Sequence, residues 1–298
     1  RIVSSQLVGY LKTHGLLPRL QSAYLPYHST ETAVLKVISD ILFALDSGDL
    51  AKLTLLDLSA AFDSVDHATL IKRLRTSYGL SCTVIDWFAS YLSDRTQCVR
   101  TAGSSSAPLP ACFGVPQGSV LGPILFLLYT AGLISLIEHH RLTPHAFDDD
   151  TQISGSCSPS HADELRERTS ACIDAVSSWI SANRLQLNQA KTEVLWCTSS
   201  RRLNQIPTGP VRIGGTQVQP VSTVRDLGVM LDADLTFRTH VTSTVRACFA
   251  ALRRIRSVKR SLPRSCLLTL IRSLIMTKLD YCNSVMAGTP ACLQERLQ

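Results

Sequence analysis

Apolar positions along the chain repeat with two different periods, and each change of period marks an element. "AKLTLLDL" (51–58) is a short apolar run of strand character that carries Asp57 near its end. In the following "DSVDHATLIKRLRTSYG", Leu70, Ile71, Leu74 and Tyr78 recur at helical spacing behind an Asp/Ser start signal, which predicts a helix directly after the strand. "HAFDDDTQIS" (145–154) is apolar before its acids and β-tolerant after them, as expected of a hairpin with carboxylates at its tip. "ADELRERTSACIDAVSSWISANRLQLN" predicts an amphipathic helix ending near Asn183, and "VRDLGVMLDADLTF" a short strand and turn. Val241, Val245, Phe249 and Leu252 mark a later helix. No internal repeat or low-complexity linker is visible.

The stretch from Thr101 to Ile137 holds no charged residue, and "SVLGPILFLLYTAGLISLI" has nearly the length and polarity of a membrane span. Pro116, Gln117, Gly118, Gly122 and Pro123 crowd its start, and no second span or flanking basic cluster accompanies it. A buried core helix is therefore predicted, and no membrane partner.

Composition adds that the chain is globular, with 45% hydrophobic and 18% charged residues in 298. Its ten cysteines never lie closer than ten positions apart, so no CxxC turn offers itself to zinc. They are expected to be small buried hydrophobes in a reducing, intracellular setting, nuclear or cytoplasmic. The chain starts at Arg1 and stops in "ACLQERLQ" without a terminal signal, which suggests a piece of something longer.

Charge is confined in an informative way. Residues 1–220 hold 18 Lys/Arg against 18 Asp/Glu, whereas residues 221–298 hold 12 against 5, so the whole excess of +7 lies in the last quarter. The densest part is "RRIRSVKRSLPR" (253–264), with six basic residues and no acid. A solvated helix face or a surface for a polyanion both fit that segment alone.

Three adjacent aspartates, Asp148, Asp149 and Asp150, repel one another unless a cation or water separates them. A carboxylate at a strand end (Asp57) and a carboxylate pair on a hairpin are what a two-metal phosphoryl-transfer site requires. A capped strand end and a polar turn are the alternative.

Several further motifs occur in order with these. "QSAYLPYHSTETAV" (21–34), "LTLLDLSAAFDSVDH" (53–67), "GVPQGSVLGPILFLLYT" (114–130), "FDDDTQ" (147–152), "LQLNQAKTEVL" (185–195), "LGVMLDADLTF" (227–237) and "KLDYCNSVMAG" (278–288) follow one another along the chain. Together they resemble the reverse transcriptases (RNA-directed DNA polymerases) of LINE-type non-LTR retrotransposons, over nearly the whole chain. The resemblance implies an α+β right-hand polymerase fold: a palm with an antiparallel sheet, partial fingers and a helical thumb. It also implies a division into partial fingers (1–50), a palm with the catalytic motifs (51–220), and a primer grip with a truncated basic helical thumb (221–298).

The register of "FDDDTQ" implies that the catalytic pair is Asp149 and Asp150, with Asp148 in a variable place. Asp57 and Asp149 would bridge two Mg²⁺ ions (Mn²⁺ as a substitute), with Asp150 a weaker ligand. Phe62 resembles the steric gate against a ribose 2′-hydroxyl, or is a core phenylalanine; Gln117 and Gly118 would lie against the nucleotide, or form a helix-entry turn. Lys191 would protonate the leaving pyrophosphate, or is an exposed structural lysine. Asp63, Asp66 and His67 are expected to cap or brace the following helix. Arg253, Arg254, Arg256, Lys259 and Arg260 would grip the nucleic-acid backbone from the thumb.

The partners so implied are an RNA template, a DNA primer and deoxynucleoside triphosphates, with an endonuclease commonly upstream in such elements. Two departures stand out. Asp148 places a charge near the primer's 3′ end, where the family carries a small or apolar residue, and Leu25 stands where it offers an arginine to phosphates. Both would impair activity, and they raise an alternative: a decayed, non-catalytic nucleic-acid-binding remnant.

Overall fold

The computed structural model describes residues 1–298. Its centre is a four-stranded antiparallel sheet of β1 (Leu50–Leu56), β2 (Thr143–Phe147), β3 (Asp150–Cys157) and β4 (Glu193–Cys197), in the spatial order β4-β1-β3-β2. β1 is paired on both edges, and a hydrophobic core lies on each of its faces, so it reads as a nearly continuous apolar run. Alternate residues still separate by face. Leu50 and Leu56 join one hydrophobic core with Ile153 and Trp196; Ala51 and Leu53 join a second with Leu195 and Cys197.

The helices that close these cores are α1 (Ile2–Thr13), α2 (Thr30–Asp46), α3 (His67–Thr76), α4 (Cys82–Leu92), α5 (Gly122–Thr130), α6 (Gly132–His139), α7 (Ala162–Ala182) and α8 (Arg238–Val258). The first core takes Leu70 and Leu74 of α3, Phe88 of α4, Leu125 and Phe126 of α5, and Cys172 and Val176 of α7. The second takes Val34, Val37 and Ile41 of α2 and Val241 of α8. The apolar part of the uncharged stretch is largely core, as expected, but breaks into α5 and α6 at Ala131; Leu125, Phe126, Leu127, Leu128 and Tyr129 are at most 2% exposed, whereas residues 101–110 are exposed.

Three expectations need correction. "VRDLGVMLDADLTF" is not one strand and a turn but a hairpin, β5 (Thr223–Asp226) and β6 (Val229–Asp232). Leu227 (φ 42°) and Gly228 (φ 89°) form its two-residue loop, the left-handed pair that a tight hairpin requires. The second correction is on α8, where the buried positions are Val241, Cys248 and Ile255, while Phe249 and Leu252 are exposed. This helix packs a narrow stripe onto a small separate core with Ile275. The third concerns cysteine: Cys82, Cys98, Cys112, Cys266 and Cys292 are exposed and all ten are free, so only part of the set serves as core.

Candidate active site: a carboxylate cleft at the sheet's end

The pairing of β1 with β3 sets the site. Leu56, the last residue of β1, lies opposite Thr151, so the next residue, Asp57, falls beside Asp150, which pairs with Phe147 across the β2–β3 hairpin. Asp148 and Asp149 form the two-residue tip, and Asp148 takes the left-handed backbone (φ 63°) that a short polar side chain tolerates. A cavity of about 370 Å³ opens here, lined by Asp57, Asp150 and Lys191 together with Arg225 and Asp226 of β5. Asp149 lines the adjoining recess beside Leu58 and Phe126.

Asp57 is held on several sides. Asn188 donates from Nδ2 to its Oδ2 (3.1 Å) and from its backbone N–H to its carbonyl (2.9 Å). Lys191 Nζ forms an ion pair with Oδ2 at 3.2 Å and donates to Oδ1 at 3.4 Å. The pair on the hairpin has less cationic support. Burial, then the charge on Asp57, pushes Asp149 above the usual carboxylate range. Burial, then Asp149, Asp57 and Asp148, pushes Asp150 up to about 6.

These residues fit a divalent ion by donor chemistry, since all three offer hard anionic oxygens and the charge on Asp57 raises both Asp149 and Asp150. They do not form a finished cage, because no group of three or more acidic, histidine or cysteine side chains is spaced to enclose an ion alone. Mg²⁺ suits such a half-site, taking one or two carboxylates and completing its shell with substrate phosphates.

The reverse transcriptase (RNA-dependent DNA polymerase) family model matches residues 1–231. The chain belongs to this family. A probable RNA-directed DNA polymerase from transposon BS of Drosophila melanogaster is 30% identical over 263 residues, covering 86% of this chain and 28% of that protein. The RNA-directed DNA polymerase from mobile element jockey of Drosophila funebris is 29% identical, covering 82% of this chain and 26% of that protein. The chain thus spans little more than a quarter of these relatives, and their origin bears out the resemblance to LINE-type enzymes. In fold it is similar to apo telomerase of Candida tropicalis truncated from its C-terminal domain, with a TM-score of 0.54 at 15% identity, over 79% of this chain and 44% of that one. A second apo telomerase structure from the same organism gives 0.53 at 13%, over 99% and 51%. The polymerase fold read from the motifs is the fold observed.

Within this reverse transcriptase chain, Phe62 stacks on Phe126, with ring centroids 4.5 Å apart, at the edge of the core. "GVPQG" lies against "FDSV" through two backbone bonds, Gly114 N–H to the Val65 carbonyl and Val115 N–H to the Phe62 carbonyl, both 2.8 Å. A Cβ on Gly114 would come within 2.9 Å of Asp63 Cα, so only glycine fits. The Gln117 amide donates to Asp63 Oδ1 (2.9 Å), and Gly118 has φ 75°. Of the three bracing residues, Asp66 caps α3 by accepting from Thr69 N–H; Asp63 and His67 instead tie the 113–118 loop, His67 through Nε2 to the Gly114 carbonyl. Arg253, Arg254, Arg256, Lys259 and Arg260 are exposed at the far end of α8 and just beyond it, and none lines the cleft.

Asp148 is held by the segment before α2. Its carboxylate accepts a hydrogen bond from the Tyr24 hydroxyl, and its backbone N–H and carbonyl both bond the Gln21 amide (3.3 and 3.4 Å). Sequence reading also missed Asn188, Gln152, Arg225 and Asp226. Asn188 and Gln152 sat inside motifs already singled out, and Arg225 and Asp226 in a strand already expected; nothing local tied any of the four to the site.

Proposed function

We propose that the chain is the polymerase region of a non-LTR retrotransposon's RNA-directed DNA polymerase, adding deoxynucleotides to a primer 3′-hydroxyl on an RNA template. The observation that carries this is the convergence of Asp57 and the Asp149–Asp150 pair at the ends of adjoining strands, with Lys191 on Asp57. Two bound Mg²⁺ ions, or Mn²⁺ in their place, would activate the primer hydroxyl and neutralise the triphosphate. Asp57 and Asp149 supply the anionic oxygens that hold them, and Asp150 assists. Asn188 and Lys191 fix the Asp57 carboxylate, and Lys191 carries a proton to the cleft for the leaving pyrophosphate. Phe62, fixed by Phe126, walls the sugar side, and Gln117 and Gly118 form the turn facing the nucleotide. The exposed cations at the end of α8 hold the template–primer backbone without choosing sequence.

Primer extension on a poly-rA template with Mg²⁺ tests the reading, with Asp149→Asn as the inactive control. Leu25, which brings no cation to the nucleotide's phosphates, favours a second reading, the decayed remnant. Hybrid binding without any extension by the parent would select it.

A further inference from the structure

A file of buried polar side chains crosses the molecule from the segment before α2 to the β5–β6 hairpin. Ser22 Oγ donates to His145 Nε2 (3.0 Å), His145 Nδ1–H to Gln152 Oε1 (2.7 Å), and Gln152 Nε2 to Asp226 Oδ1 (2.7 Å). The four residues are 7%, 6%, 1% and 2% exposed. They come from three stretches far apart in sequence, and Gln152 stands two residues beyond Asp150 on the strand that carries it. Asp226 Oδ2 is buried with no partner, and Asp226 lines the cleft with Asp57 and Asp150.

Burying an amide and a carboxylate against each other adds little stability over an apolar pair, but their geometry fixes one arrangement of the elements. The β5–β6 strands make no other hydrogen bond to the catalytic hairpin: the chain on either side of them is tied to β4, Val221 N–H to the Val194 carbonyl and Thr198 N–H to the Ala233 carbonyl, and the Tyr281 hydroxyl bonds the Leu227 carbonyl in their loop. We infer that the Gln152–Asp226 hydrogen bond is a positioning device for the reaction, setting the β5–β6 hairpin, on which the polymerase reading places the primer terminus, against the Asp57–Asp150 cleft. This inference rests on the polymerase reading above. Gln152 and Asp226 act through the hairpin and do not touch reacting atoms. The Ser22–His145 end anchors Gln152 in one amide orientation, because His145 takes its Oε1 and leaves only Nε2 for the carboxylate.

The test compares affinity for an RNA–DNA hybrid with a recessed primer 3′ end and for the same hybrid with flush ends, in Mg²⁺ with a non-hydrolysable deoxynucleotide triphosphate. The parent should prefer the recessed end by about tenfold, the size of one well-made buried polar contact. Gln152→Glu sets two acceptors face to face and should bring the preference below about twofold, with flush-ended affinity retained. Adding Asp226→Asn restores a donor–acceptor pair across the same gap and should recover most of it. If Gln152→Glu does not fold, Gln152→Met, which removes the bond without two facing carboxylates, carries the same expectation. A Gln152→Glu or Gln152→Met protein that keeps the preference, or a double variant no better than Gln152→Glu, overturns the inference and leaves the polymerase reading intact. A parent with no preference for the recessed end takes both down.

Discussion

The Tyr24 hydroxyl donates to Asp148 Oδ2 at 2.6 Å, across 124 positions of sequence, and turns the first aspartate of the "DDD" run toward the segment before α2. The like-charge crowding expected of three adjacent carboxylates is therefore partly relieved by a neutral donor. Asp148→Ala should change single-turnover extension by less than about threefold, because its carboxylate already accepts the Tyr24 hydroxyl and does not line the cavity that holds Asp57 and Asp150. Leu25→Arg should raise extension by restoring a cation for phosphates. Measured rates for both single variants and the double decide this; a tenfold gain from Asp148→Ala alone would show that its charge reaches the primer.

Asp149→Asn should abolish extension and also remove Mg²⁺-dependent thermal stabilisation, since an amide cannot hold the ions. Asp150 is pushed up to about 6 by burial and its neighbours, so it is largely protonated below that pH and must lose the proton to bind a cation. Mg²⁺ affinity should then rise between about pH 5 and 7. Titration calorimetry at several pH values reads this, and a pH-independent affinity would exclude Asp150 from the ligand set.

Lys52 is 1% exposed, with an unpartnered ammonium 5.2 Å from the ring centre of Trp196, and burial lowers its pKa from 10.5 to about 7. A lysine whose folded pKa is depressed destabilises the fold when charged, so the parent should gain stability as pH rises from about 7 towards 10. Lys52→Met should stabilise by about 2 kcal/mol at pH 7, with the advantage shrinking at high pH. Denaturant melts at pH 7 and pH 9.5 would show it.

Replacing Arg253, Arg254, Arg256, Lys259 and Arg260 by Ala should weaken binding of RNA–DNA hybrids and flatten its salt dependence by about one unit of slope for each phosphate no longer neutralised. The melting temperature should hardly move, because all five are exposed. Unchanged affinity at low salt would remove the role given to this end of α8.

The sequence by itself determined the elements that carry the chemistry. A short apolar run placed β1, an apolar-then-β-tolerant pattern the Asp-bearing hairpin, and helical spacing α3 and α7, because local periodicity follows from the chain's own geometry. Asp57, Asp149 and Asp150 were legible for a related reason: each sits where a strand ends, which a local pattern reveals. Other features depended on pairing between distant segments. Asp148 faces Tyr24, Gln152 meets Asp226, and Asn188 braces Asp57 only because the order β4-β1-β3-β2 brings residues 21–24, 145–157, 186–197 and 223–226 together. Phe249 and Leu252 stayed exposed for the same reason: an apolar helical stripe says that something could cover it, and only the packing around α8 decides which part is covered.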